Sequence, residues 1–254
     1  MTKVSDIIKV MEKFAPSELK EDFDNVGLLI GKEDGKVKKV LLALDVDESV
    51  ALEAIEFGAD LIICHHPLIF DGLKSVAEKN FVERTVALLI ENKITLYAMH
   101  TNLDIVKGGL NDLFAKKLGL KVKSALADDG CGRICSVKTT LSELAEKVKA
   151  EFFLPYIRYS GDGERVIKKV ALCTGGGRSF VDDVIESGAD VYISGDLHHA
   201  DIRKLCFEGV DFINIDHYDS EKIVTEIFSE IMAKKFADIE IKVATEKHIL
   251  SNIK

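Results

Sequence analysis

The sequence predicts an α/β protein of two similar lobes with mostly parallel or mixed sheets. Three observations carry that expectation. Short β-rich apolar runs alternate with segments whose apolar residues recur every three or four positions, the pattern of βαβ units. The runs are nearly continuous in apolar residues, as in a sheet covered on both faces. A strand–helix–strand stretch also repeats. Lys39-Val40, Leu42, Ile55-Glu56, Gly58-Ala59-Asp60 and Ile63 match Lys169-Val170, Leu172, Ile185-Glu186, Gly188-Ala189-Asp190 and Ile193 at one constant offset.

Taken in order, Met1–Asp6 opens an amphipathic segment without the apolar core of a signal peptide. Strands are expected at Val40–Leu44, Leu61–Ile63, Ile94–Ala98, Val170–Cys173, Val191–Ile193 and Phe212–Ile215. Helical periodicity covers Ser49–Phe57, Ser75–Asn92, Gly109–Leu118, Ser179–Ser187 and Ser220–Phe236. Between the lobes the pattern changes to Arg133–Thr139, a helix at Leu141–Phe153 and a short strand at Tyr156–Ser160. The expected division is 1–125 and 126–254, the two lobes packing as one domain.

The 254 residues are 47% hydrophobic, enough for a sizeable core, and carry a formal charge of −9. That balance disfavours nucleic acid, whose affinity comes from Lys and Arg neutralising phosphates. No apolar run approaches the roughly 18–20 residues of a membrane span. Five cysteines, an odd number without Cys-x-x-Cys, fit a reducing cytoplasm better than a disulfide framework.

Six of seven histidines lie just beyond expected strands, where open α/β sheets bind ligands. His65 and His66 follow Leu61–Cys64, and Pro67 keeps His66 extended. Adjacent side chains point oppositely, so the pair suits two neighbouring metals; the alternative is two partly exposed loop histidines. His100 and Asp104 follow the next strand, and a carboxylate offers two oxygens to two cations. They also fit a turn and a helix cap. His217 and Glu221 are i and i+4 on one helix face, a spacing that solvated helices also produce. His198 and His199 follow Ser194-Gly195-Asp196 and are candidates for proton transfer or substrate contact, or are simply helix-start residues. Thr174-Gly175-Gly176-Gly177-Arg178 reads as a tight turn, with an anion site the lesser reading. Cys64 ends an apolar strand and reads as an inert buried thiol.

His65, His66, Asp104, His217 and Glu221 form a mixed nitrogen and oxygen set suited to Zn, Mn, Fe or Co. Five ligands exceed what one catalytic zinc takes and fit two divalent ions.

Asp24-Asn25-Val26-Gly27-Leu28, His65-His66-Pro67-Leu68, His100-Thr101-Asn102-Leu103-Asp104, Ser194-Gly195-Asp196-Leu197-His198-His199 and His217-Tyr218-Asp219-Ser220-Glu221 occur in one order. In these motifs, over nearly its whole length, the chain resembles the Nif-three-like family, the GTP cyclohydrolase 1 type 2 homologues. Asp196 stands where many relatives have Glu. The resemblance implies a dinuclear metal site on His65, His66, Asp104, His217 and Glu221. It also implies a homohexamer, a trimer of dimers. The span from Gly119 to Val166 is too short for the middle domain of longer members, so the chain looks like the short form. The expected function is a dinuclear metal-dependent hydrolase of a small molecule, a nucleotide or phosphoester, with His100 or His198 moving protons. The alternative is a non-enzymatic metal-binding or regulatory ring.

Overall fold

Each apolar run becomes a strand, and the helical segments between them return the chain so that most strands run parallel. The computed structural model describes residues 1–246, 248 and 249. It begins with α1 (Val4–Phe14), β1 (Gly27–Ile30), β2 (Lys39–Ala43), α2 (Glu48–Phe57), β3 (Leu61–Cys64), α3 (Phe81–Glu91), β4 (Thr95–Ala98) and α4 (Thr101–Ile105). Then come α5 (Leu110–Lys117), β5 (Lys121–Ala125), β6 (Arg133–Thr140), α6 (Leu141–Glu151), β7 (Arg158–Tyr159), β8 (Val166–Gly176), α7 (Val181–Ser187) and β9 (Val191–Gly195). The run continues through α8 (His199–Phe207), β10 (Asp211–Asn214), α9 (His217–Glu221), α10 (Val224–Lys235) and β11 (Glu240–Val243).

Two sheets result, one of five strands in the order β1-β4-β3-β2-β11 and one of six in the order β5-β6-β8-β9-β10-β7. Contacts group Met1–Val106 with the described chain from Val224 on as one unit, and Lys107–Ile223 as the other. The sequence reading cuts once, after residue 125. The grouping differs because β5 pairs with β6, which takes 107–125 into the second unit, and because β11 pairs in parallel with β2 and returns the last strand to the first sheet.

In the first unit β2, β3 and β4 run parallel and in level register, Ala43 opposite Cys64 and Cys64 opposite Ala98. Whatever follows those three residues therefore emerges along one rim. Leu41, Ile62 and Leu96 pack with Ala54, Val86 and Leu89 from the covering helices. Asp47 caps α2 by accepting from the Val50 N–H at 2.9 Å. Helix α3 starts at Phe81 rather than Ser75 because the Glu83 carboxylate takes the N–H groups of Ala77 and Lys79, each at 3.0 Å. Those bonds hold the preceding residues as a loop, and Asn80 supplies the cap.

In the second unit β8, β9 and β10 are parallel, and β5, β6 and β7 add antiparallel edges. Its core gathers Ala171, Tyr192, Phe212, Val184 and Leu205. The stretch expected as one helix from Ser220 breaks between α9 and α10. β1, β5 and β11 have no counterpart in the expected elements; β5 is exposed along its length.

The repeated Gly-Ala-Asp does one job in both units. Gly58 and Gly188 end their helices in the left-handed region, at φ 73° and 66°. Asp60 then accepts from the N–H groups of Lys38 and Lys39, and Asp190 from those of Lys168 and Lys169. Each carboxylate ties the start of its own strand, β3 or β9, to the neighbouring β2 or β8.

Candidate metal centre

The level strand ends of the first unit deliver Asp45 after β2, His65 and His66 after β3, and His100 after β4. His65 is fully buried, and its Nδ1 lies 2.7 Å from the Met99 carbonyl. A carbonyl only accepts, so Nδ1 carries the proton and Nε2 keeps its lone pair. That Nε2 lies 3.6 Å from Oδ1 of Asp104, itself 9% exposed, on the first turns of α4. His66 donates from Nδ1 to Asp45 Oδ1 at 2.7 Å. His100 donates from Nδ1 to Asp24 Oδ1 at 2.9 Å. His65, His66 and His100 each offer a nitrogen within 4.8 Å of the others, a group that could hold a metal ion.

Asp24 is 3% exposed. Burial pushes its carboxyl up, but hydrogen bonds from His100 and from the Thr101 hydroxyl and N–H outweigh that and hold it at about 2. It is therefore an anion at neutral pH.

In the second unit parallel neighbours repeat the arrangement. β9 is followed by Asp196, and β10 by His217. Asp196 Oδ2 accepts from His217 Nδ1 at 2.7 Å, and His217 Nε2 lies 3.0 Å from Glu221 Oε2 one turn along α9. Asp196 adopts φ 55°, a left-handed conformation uncommon outside glycine but tolerated by Asp. Glu221 is 3% exposed. The glycine-rich run fits around this pair. A Cβ on Gly175 would meet Glu221 Oε1 at 2.0 Å and His217 Nε2 at 3.1 Å. One on Gly177 would meet the hydroxyls of Tyr192 and Ser194, which bond the loop's backbone. The run is not the expected tight turn: Thr174–Gly176 are the last residues of β8 and Gly177 opens a single 3₁₀ turn, the strand end fitting closely against the Glu221 carboxylate.

The structure thus brings His65, His66, Asp104 and His100 together in one unit and His217 with Glu221 in the other. Both sets fit divalent transition metals by their donors, and each orienting acceptor fixes the tautomer that a metal ligand needs. His198 and His199 are exposed at the start of α8, where the His198 N–H bonds Asp201. Cys64 is fully buried, and burial drives its thiol far up, in keeping with an inert residue. Sequence reasoning gave no role to Asp24 and missed Asp45. Asp24 stood in a motif it quoted. Asp45 follows a strand end just as the histidines do, which was the available signal. No helix among the described residues is long and apolar enough to cross a membrane.

Comparison with known proteins bears on this arrangement. A Clostridium perfringens protein named GTP cyclohydrolase 1 type 2 homolog is 37% identical over 254 residues, covering 96% of this chain and 97% of its own. The crystal structure of Staphylococcus aureus hypothetical protein SA1388 superposes with a TM-score of 0.89 at 30% identity, covering 99% of each chain. Reduced HcgD from Methanocaldococcus jannaschii gives 0.85 at 33% identity, over 96% of this chain and 98% of its own. The model of the Duf34/NIF3 (NGG1p interacting factor 3) family matches residues 2–249. With its two sheets, its strand-end histidines and these relatives, the chain belongs to the Duf34/NIF3 family.

Proposed function

We propose that the protein is a metal-dependent hydrolase whose two ligand sets, His65, His66 and Asp104 with His217 and Glu221, serve one dinuclear centre. The observation that carries the reading is the shared orientation of His65, His66 and His217. Each donates Nδ1–H to a fixed acceptor and keeps Nε2 as the ligand atom. Bound divalent ions would supply Lewis acidity to a substrate oxygen and make a water more acidic.

The protein's own groups handle the proton. His100 keeps a lone pair on Nε2, and the Asp24 anion behind Nδ1 stabilises the imidazolium formed when a proton arrives. His198 is the second candidate, but the geometry favours His100, which has a buried carboxylate behind it. The relatives' name supports a nucleotide substrate, with water adding to the imidazole ring of guanine; a phosphoester fits the same chemistry. By family resemblance we further propose a homohexamer, for which sedimentation equilibrium would return six chain masses.

The test is a hydrolysis screen of metal-loaded protein over nucleotides and phosphoesters. Turnover that falls on the order of 10²–10⁴-fold in His100→Ala, with metal content unchanged, is the expected result. No turnover, with tight binding of a partner protein, would instead favour a metal-carrying or regulatory role.

A further inference from the structure

The end of β2 is held by a residue from the far end of the chain. Strand β11 runs parallel to β2, Val243 level with Leu42, and the Ala244 N–H bonds the Leu42 carbonyl at 2.8 Å. Two residues later the ladder stops and Glu246 takes over. Its Oε1 accepts from the Leu44 N–H at 2.6 Å and its Oε2 from the Asp45 N–H at 3.0 Å. Both oxygens are spent on consecutive backbone donors of the segment that orients His66. Asp45 then accepts from His66 Nδ1 at 2.7 Å, and the Leu44 carbonyl accepts from the His66 N–H at 2.9 Å. Leu44 and Asp45 thus pass to His66 both the contacts that set its ring and one that sets its backbone. The Asp45 side chain is 54% exposed, so its position depends on the backbone beneath it rather than on packing.

We propose that Glu246 is a positioning residue for His66, a latch from the C-terminal segment that fixes Asp45 and through it the His66 imidazole. The proposal rests on His66 being a metal ligand, as inferred above. Its signature is selectivity. The His65 backbone shares the Leu44 carbonyl, its N–H lying 3.2 Å away, but its ring takes its orientation from Met99, just past the other neighbouring strand, so losing the latch frees the His66 ring and spares the His65 ring.

The experiment has two readouts on the full chain. In metal-free protein, long-range ¹H–¹⁵N spectra of the imidazoles report tautomers directly. Wild type should hold both His65 and His66 with the proton on Nδ1. In Glu246→Ala, His66 should become a mixture of tautomers while His65 stays unchanged. In cobalt(II) titrations followed by visible absorption, Glu246→Ala should weaken one ion about 10–100-fold and leave the other within about twofold. Adding it to Asp45→Ala should cost little more, because both act through one contact. Glu246→Gln, which keeps one acceptor oxygen, should fall between and serves if the alanine variant folds poorly. An unchanged His66 tautomer, or equal loss of both ions, overturns the proposal. If wild type binds no cobalt but His66 alone changes tautomer, the latch stands and the metal reading falls.

Discussion

A methyl group at Gly175 would lie 2.0 Å from Glu221 Oε1, and the backbone there has φ 66°. Gly175→Ala therefore meets two penalties, a left-handed alanine, roughly 1–2 kcal/mol, and a displaced carboxylate. The expected outcome is a lower melting temperature together with weaker metal binding, read by calorimetry and by elemental analysis. An alanine variant with wild-type metal content would show that Glu221 is not held by this strand end. Asp24 makes the same point for proton transfer. Asp24→Asn keeps the shape but removes the anion behind His100. It should lower turnover and leave metal content unchanged, which steady-state kinetics and elemental analysis separate. At this scale the sequence singled out the five candidate donors, because His and carboxylate just past strand ends are visible in one dimension. It did not show Asp45 as a partner of His66, because that pairing depends on β2 and β3 being neighbours in level register.

At the scale of elements, the strand ends do the positioning. β2 beside β3 places Asp45 against His66, and β9 beside β10 places Asp196 against His217. Both are a carboxylate and an imidazole from adjacent parallel strands, but the repeat aligns β2 and β3 with β8 and β9, so the two pairs occupy different positions of it. The six apolar runs were legible as strands because buried parallel strands are nearly continuous in apolar residues. β5 was not, because all its residues are exposed and it owes its place to β6. α5 is tied to β6 by a buried pair. Arg133, 4% exposed, grips both oxygens of Asp112, each at 3.0 Å, and the carbonyls of Gly130 and Gly132. Burial raises the Asp112 carboxyl, but the Arg133 hydrogen bonds outweigh it and hold it below its ordinary 3.8. A carboxyl lowered by folding contributes stability above its unfolded value and loses it as pH falls through the folded one. Wild type should therefore lose stability more steeply below pH 3.8 than Asp112→Asn does, measured by urea unfolding at several pH values. Arg133→Ala, which leaves the carboxylate without its cation, should cost about 3–5 kcal/mol at neutral pH.

Across the molecule, the expected cut after residue 125 and the observed grouping differ in where residues 107–125 and the described chain from Val224 on belong. Only pairing decides that, and β11 carries no feature that names β2 as its partner. The C-terminal segment is the least legible part of the sequence and the part that reaches the Asp45 loop. The net charge of −9 predicts no salt-dependent binding to DNA, which a filter assay at low ionic strength would check. Metal should also stabilise the whole chain. A ligand that binds only the folded state at about a hundred times its Kd adds about 2.7 kcal/mol, so a chelator should lower the melting temperature reversibly.

The proposed function depends on side chains distant in the sequence sharing a pair of cations. Elemental analysis of manganese- or zinc-loaded protein after exhaustive dialysis tests this most directly. Wild type should retain two ions per chain, and His65→Ala and Glu221→Ala should each lose metal while remaining folded by circular dichroism. Wild type that retains none, or variants that retain as much as wild type, would contradict it.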